Sequence, residues 1–215
     1  MKSIVLDLPF APSLPWFYLY LSNTEVWIEQ QESFVKSSYR NRCDIASPSG
    51  RLSLSIPIEG GKDHHRLYRE ARMAQDFRWR KIHFQSLASA YRRTPFFEYY
   101  EDSIRSLYEN PEQYLFSWNQ LWLDWILKVM KLQPRHQFTS SWNAIYSDKT
   151  DARQAISPGK QSADLLLHYS SPKYIQAFET RTGFIPDLSI LDFLFQEGPH
   201  IQTLTDFWGL PLSVG

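Results

Sequence analysis

The sequence predicts one α/β domain, with α+β as the alternative, in which an N-terminal mixed sheet with a β-hairpin is packed by C-terminal helices. Two short β-rich segments, "SIVLDL" and "EVWIEQ", flank an apolar aromatic segment, which is the strand–helix–strand order of a parallel βαβ unit. A hairpin-like alternating pattern follows these segments. From Trp79 onward, apolar residues recur at helical spacing. Together these patterns favour a sheet built first and helices packed on it afterwards.

The N-terminal segments support this order in detail. Residues 14–21 are apolar and aromatic, which predicts a short buried helix between the two strands. In the second strand, Val26 and Ile28 share one face and Trp27 and Glu29 the other. We expect these two strands to pair in parallel.

The hairpin is predicted in "SSYRNRCDIASPSGRLSLSIPIEG", residues 37–60, because "SPSG" carries the Pro and Gly of a turn. Apolar residues alternate with Ser and Pro along its second arm. On its first arm, strand alternation places Tyr39, Asn41 and Cys43 on one face and Arg40, Arg42 and Asp44 on the other. The following residues 62–77 are expected to add one short strand or turn.

Helices are predicted from Trp79 to about Asn110, with a break near Pro95, and over residues 112–132, where an apolar stripe is most regular. Residues 133–170 are polar and irregular and predict a long loop. A short helix after Pro186 is expected to end at Gly198. The predicted parts of the single domain are strand-rich (1–75), helical (76–132), loop-rich (133–172), and a C-terminal motif and tail (173–215).

Composition and motifs exclude several classes of function. The 23 basic and 23 acidic residues give a formal net charge of zero, so no global field attracts nucleic acid. No apolar run approaches the roughly 20 residues of a membrane span. The single cysteine and the absence of a signal peptide predict a cytoplasmic protein. No phosphate-binding loop or zinc motif occurs, and adjacent His64 and His65 point in different directions, so no cofactor and no metal is expected. The oligomeric state is not predicted.

The hairpin arginines are the first candidates for binding. Two residues of one strand face, such as Arg40 and Arg42, lie roughly 7 Å apart, a distance that could straddle a diphosphate, or a phosphate and a carboxylate. Lys36 could add charge. The alternative is a solvent-facing strand balanced by Asp44. Cys43 is a possible nucleophile, but a lone cysteine is more often a buried packing residue.

Carboxylates and a histidine are the candidates for proton transfer. Glu29 and Glu32 sit at and just after the end of the second strand, where ligand groups gather in α/β sheets. His83, one turn into the first long helix, is the best-placed histidine. Trp79 and Arg80 open that helix and could contact an anion. The alternative for the two glutamates is a surface acid, and the alternative for His83 is an exposed helical histidine.

The remaining candidates are polar residues near the end of the chain and in the hairpin. Ser189 is predicted to cap the last predicted helix. Asp192 is expected to pair with a hairpin arginine, if it does not act at the site. Gln176 is a further polar candidate. Asn41 is expected to satisfy backbone groups as a buried amide.

Two stretches, residues 25–58 and "KYIQAFETRTGFIPDLSILDFLFQEGP" at residues 173–199, together resemble the WbqC-like protein family, in the form found in Bacteroides-like bacteria. Residues 79–102 are similar to the helical segment of that family. The family occurs in bacterial gene clusters for O-antigen and related surface polysaccharides. The resemblance implies a cytoplasmic role in surface-glycan synthesis, with transfer of a small acyl or aminoacyl group such as glycine onto a sugar or nucleotide-sugar.

The sequence departs from the family pattern at one place that could matter for catalysis. Many members carry His-Gln-Pro after the first strand, where this chain has Asp7, Leu8 and Pro9. Many members also carry a Gly-Gly segment followed by Tyr-Leu, and this element is missing from the polar loop of this chain. The leading hypothesis is a transferase that uses the hairpin arginines as an anion clamp. The rival is a non-catalytic protein that binds a glycan precursor or acts as a scaffold, with its arginines buried in structural pairs.

Overall fold

The computed structural model describes residues 3–60, 66–76 and 78–211. The predicted strand or turn over residues 62–77 falls partly, and the His64–His65 pair wholly, outside the described residues. The strands are β1 (Ser3–Leu6), β2 (Glu25–Ile28), β3 (Arg42–Ser47), β4 (Gly50–Ser55), β5 (His136–Phe138), β6 (Thr150–Asp151), β7 (Ile156–Ser157) and β8 (Lys160–Gln161). The helices are α1 (Leu14–Ser22), α2 (Arg78–Tyr91), α3 (Phe97–Glu109), α4 (Leu115–Val129), α5 (Glu179–Thr182), α6 (Ile190–Glu197) and α7 (Ile201–Trp208), with a 3₁₀ helix at Tyr68–Glu70.

A parallel sheet confirms the predicted α/β class. Its four strands lie in the order β5–β2–β1–β6, and each neighbouring pair is parallel. The β1–α1–β2 unit forms as expected, with Ser3 opposite Glu25 and Leu6 opposite Ile28. Helix α1 begins with Pro15 near its start, a position where proline needs no hydrogen bond, and is buried from Leu14 to Leu21.

The prediction of a long loop over residues 133–170 is wrong in part, because this segment supplies two strands of the sheet. Strand β5 pairs with β2 and strand β6 pairs with β1, so both edge strands of the sheet come from it. Strands β7 and β8 form a small separate hairpin. Strands of two or three residues are too short to produce an alternation pattern, which explains why the sequence did not predict them.

The hairpin forms, but its first arm is shorter than predicted. Strand β3 begins at Arg42, and the preceding residues form turns in which the Asn41 amide donates to the Ser38 carbonyl. The prediction that Arg40 and Arg42 share one strand face is therefore wrong. From Arg42 onward the predicted pairing holds, with Arg42 opposite Ser55 and Asp44 opposite Ser53.

The helices cover the sheet with a continuous aromatic core. Trp118 and Trp122 of α4 are fully buried. Phe10, which follows β1, contacts Trp122 edge-on and stacks on His83 of α2, so this one ring joins the end of a sheet strand to two helices. The predicted break near Pro95 separates α2 from α3. Helix α6 ends at Gly198 as predicted, and α7 was not predicted.

Within the described ranges, no helix combines the length and the apolar character that a bilayer crossing requires.

Candidate functional site

The carboxyl ends of the central strands carry two buried acids. Asp7 directly follows β1 and Glu29 directly follows β2, and the amide of Glu29 donates to the Leu6 carbonyl at 2.8 Å. Because β1 and β2 are parallel, both acids lie at the same edge of the sheet, which is where α/β proteins bind ligands.

Arg40 neutralises this edge from inside the protein. Its side chain is fully buried, its Nε donates to Asp7 Oδ2 at 3.4 Å, and its Nη2 pairs with Glu32. Its Nη1 donates to the Ser33 carbonyl, and its guanidinium lies over the Tyr68 ring. Burial raises the pKa of Asp7 above its usual value, although the charge of Arg40 acts in the opposite direction.

Glu29 is held just as firmly. Thr139, which follows β5, donates its hydroxyl to Oε1 at 2.8 Å, and the Tyr146 hydroxyl donates to Oε2 at 3.0 Å. Arg153, which lies just after β6, places its Nη1 3.6 Å from Oε2. We name Asp7, Glu29, Glu32, Arg40 and Arg153 the carboxyl-edge network. Its ions are already paired with one another, so it stabilises the chain segments that carry them.

A cleft of about 470 Å³ lies between the hairpin, the turn segment before it and the start of α2. We name it the Arg42 cleft. Basic side chains of Lys36, Arg42 and Arg66 line it, together with Glu59. Trp79 contributes an aromatic wall. Of the described residues, three lining the cleft are basic and one is acidic, so the cleft favours an anion.

Two buried polar atoms in the lining of the cleft have no hydrogen-bond partner in the described part of the chain. They are the Asn41 Oδ1 and the Arg42 Nε. The Asn41 amide is fixed, because its Nδ2 donates to the Ile56 carbonyl at 3.0 Å and the Ile56 amide donates back to the Asn41 carbonyl at 2.7 Å. This confirms the expected role of Asn41 toward the backbone. Buried polar groups are normally satisfied, so these two atoms make the cleft a candidate binding site.

The carboxyl-edge network and the Arg42 cleft share one wall. This wall is the segment from Glu32 to Arg42, whose side chains Glu32 and Arg40 enter the network while Lys36, Asn41 and Arg42 line the cleft. The Tyr68 amide donates to the Glu32 carbonyl and the Phe34 amide to the Arg66 carbonyl, which fix the segment from its other side. The buried ion pairs of Arg40 therefore position the cleft.

The candidate residues of helix α2 form hydrogen bonds with backbone carbonyls of the protein itself. His83 is buried rather than exposed, with its Nε2 3.2 Å from the Ser55 carbonyl, and burial lowers its pKa to about 4. Arg80 donates to the carbonyls of Tyr108, Asn110 and Glu112 at the end of α3. It therefore binds a helix C-terminus, and its contact with an anion stays a prediction. The indole of Trp79 donates to the Ala74 carbonyl at 3.0 Å, next to its place in the cleft.

The tail candidates hold the fold together. Ser189 caps α6, as predicted, by accepting from the Leu191 amide. The prediction that Asp192 pairs with a hairpin arginine is wrong. The hydroxyls of Tyr91 and Tyr174 donate to the Asp192 carboxylate at 2.5 and 2.6 Å instead. Burial raises the pKa of Asp192 despite these bonds. Gln176 exchanges two hydrogen bonds with the backbone of Ile185.

Cys43 lies buried in the hairpin. Burial raises the pKa of its thiol well above the ordinary value, with the nearby Asp44 as a second cause. A thiol of this kind is a poor nucleophile. The packing role is therefore the better interpretation of this residue.

The structure thus divides the predicted site residues among three places. Lys36, Asn41, Arg42 and Trp79 meet in the Arg42 cleft, Glu29, Glu32 and Arg40 lie in the network, and the others lie elsewhere. Sequence reasoning missed Arg66, Glu59, Asp7 and Arg153. The position of Asp7 directly after a strand was the one signal that could have identified it. The catalytic roles of Glu29, Glu32, His83 and Asp192 stay predictions.

Comparison with known proteins gives one match. The family model of the WbqC-like protein family matches residues 9–164, which is well over half of the chain. This range includes every residue that lines the Arg42 cleft and ends before the tail segment. No curated protein and no solved structure matches the chain.

Proposed function

The chain belongs to the WbqC-like protein family, membership of which suggests a role in polysaccharide-related biosynthesis, and on this premise we propose that it is a cytoplasmic transferase. It binds a sugar or nucleotide-sugar in the Arg42 cleft. The group that it transfers is a small acyl or aminoacyl unit such as glycine. Its ligand is a small molecule rather than a nucleic acid, since the chain has no net charge to attract a polyanion.

The observation that carries the proposal is the pair of buried, unpartnered polar atoms in a basic cleft. A phosphate oxygen would accept from the Nε of Arg42, and a sugar hydroxyl would donate to the Oδ1 of Asn41. Ligand pockets of this kind commonly enclose about 300–1,000 Å³, and the cleft encloses about 470 Å³. The size and the charge both suit a phosphorylated sugar.

Glu59 supplies a carboxylate at the same cleft. In acyl transfer, an amine or hydroxyl of the sugar attacks the carbonyl carbon of the donor. Glu59 takes the proton from the attacking group, and the leaving group departs with the electron pair of the broken bond. Glu59 is thus the general base of this proposal, because Glu29 and Glu32 are already engaged in the carboxyl-edge network.

Non-catalytic binding of a glycan precursor is the second candidate. The pairing of the fully buried Arg40 with Asp7 and Glu32 favours it, since such structural pairs were expected for a scaffold. Under this alternative the Arg42 cleft still binds its ligand, but no group is transferred.

Calorimetric titration with nucleotide-sugars and sugar 1-phosphates tests the binding step. Replacing Arg42 with Ala removes a charged donor and should weaken binding by about 10- to 100-fold. Arg93, an exposed arginine between α2 and α3, provides the matched control. Equal affinity in the R42A and R93A variants would refute the binding site.

Mass spectrometry of sugars incubated with aminoacyl and acyl donors separates the two candidates. A transferase yields an acylated sugar, and its Glu59→Gln variant keeps ligand affinity but loses turnover. If ligand binds and no donor gives product, the protein is a binder.

A further inference from the structure

A second cleft, lined by Asp44, Arg51 and Ser53 of the hairpin, encloses about 570 Å³. It opens between the hairpin and the β7–β8 turn. Gln161 and Asp187 face the hairpin residues from other segments. We propose that this polar cleft binds a neutral, hydroxyl-rich sugar unit.

The charges of the polar cleft are balanced. Asp44 and Asp187 are matched by Arg51 and Lys160, so the cleft does not favour an anion as the Arg42 cleft does. Its lining combines carboxylate, hydroxyl and amide groups. Hydroxyl groups of a sugar both donate and accept hydrogen bonds, and a fixed carboxylate can accept from two neighbouring hydroxyls. The ligand that this lining suits is therefore an uncharged polyol.

The carboxylates are held in fixed orientations by their neighbours. Tyr39 and Arg51 donate to Asp44 Oδ2 at 3.0 and 3.2 Å, and Ser53 donates to the other oxygen. On the opposite wall, the Gln161 amide donates to Asp187 at 3.0 Å. A carboxylate offers about four acceptor positions, so each keeps capacity for a ligand. Preoriented acceptors reduce the entropy lost when a sugar binds.

Neighbouring positions of the hairpin line the two clefts. Arg42 lies opposite Ser55 and lines the Arg42 cleft, while Asp44 lies opposite Ser53 and lines the polar cleft. Residues two apart on a strand share a face and are roughly 7 Å apart. A ligand in each cleft would therefore lie close to the other.

Saturation-transfer NMR with methyl hexosides and N-acetylhexosamines tests this inference. We expect Asp187→Asn and Gln161→Ala each to weaken sugar binding at least tenfold, while the R42A variant retains it. Asparagine is chosen for position 187 because it tolerates the positive φ of Asp187. The control is Asp164→Asn, which makes the same change at an exposed site.

The outcomes separate the two proposals. Sugar binding that survives in R42A, with nucleotide-sugar binding lost, supports both clefts. Sugar binding without any nucleotide-sugar binding supports the polar cleft and refutes the Arg42 cleft. The inference is overturned if no neutral sugar binds, if D187N and Q161A bind as well as D164N, or if a bound nucleotide-sugar displaces the neutral sugar competitively.

Discussion

Arg40 and Arg42 are separated by one residue, yet the guanidinium of Arg40 is fully buried between Asp7 and Glu32, whereas Arg42 lines an open cleft. Arg40 ends the turn segment and Arg42 begins β3. The first arginine anchors the segment to the edge of the sheet. The second is thereby held at the cleft, where its buried Nε has no hydrogen-bond partner within the described ranges.

The buried pairing of Arg40 predicts a large loss of stability in Arg40→Met. The variant leaves Asp7 and Glu32 without their cation, and breaking a buried ion pair typically costs roughly 3–5 kcal/mol in the free energy of unfolding. Urea denaturation measures this loss. Arg69→Ala, which removes an exposed arginine 3.9 Å from Glu70, should change stability by less than about 1 kcal/mol. Similar losses in both variants would show that the pairing contributes little.

His83 predicts a specific pH dependence of stability. Its pKa in the folded protein is about 4, below the ordinary 6.5, so the unfolded state binds the proton more readily. The stability that the neutral imidazole contributes is complete above about pH 6.5 and is lost as the pH falls toward 4, by about 3 kcal/mol.

Unfolding curves of the wild type and the His83→Gln variant between pH 7 and pH 4 isolate this effect. The wild type should lose more stability than the variant over this interval. NMR titration of the imidazole gives the pKa directly, and a value near 6.5 would contradict the burial of this side chain.

Cys43 should be inert in the folded protein. Its thiol is buried and its pKa is raised well above the ordinary value, so little thiolate exists at neutral pH. We expect no reaction with a thiol-specific disulfide reagent until urea unfolds the chain, followed by reaction of one thiol. Rapid labelling of the native protein would restore Cys43 as a candidate nucleophile.

Substitution of Gly198 by alanine should cost more stability than the same substitution of Gly209. At φ 75° and ψ −160°, Gly198 adopts a backbone conformation that is essentially restricted to glycine, and a Cβ would lie 2.6 Å from the Phe96 ring. Gly209, at φ 63°, has no atom within 4 Å of an added Cβ. Gly209→Ala should therefore cost about 1–2 kcal/mol, and Gly198→Ala about 1–3 kcal/mol more. Thermal unfolding of the two variants measures the difference, and equal losses would contradict the close contact.

The parts of the fold with strong periodicity were predictable. The β1–α1–β2 unit and the long helices follow from local pattern alone. The burial of Arg40 was not predictable, because alternation in a polar segment is the same for a strand and for a series of turns. Nor was the pairing of Asp192 with Tyr91, since partners 101 residues apart leave no local signal.

The candidate site was predictable in its residue types rather than its geometry. Four of the expected binding residues lie in the Arg42 cleft, because cations and amides that cluster in sequence also cluster at the start of β3. Arg66 joins them from a distant segment. The edge strands that bring Thr139 and Arg153 to Glu29 are too short for sequence patterns to reveal.

We propose above all that the Arg42 cleft binds the anionic part of a sugar substrate. A crystal structure of the complex with a nucleotide-sugar or sugar 1-phosphate tests it most directly. We expect phosphate oxygens within about 3 Å of the Arg42 guanidinium and the sugar beside Asn41 and Trp79. A ligand ordered at the carboxyl-edge network or elsewhere, with the Arg42 cleft empty, would contradict it.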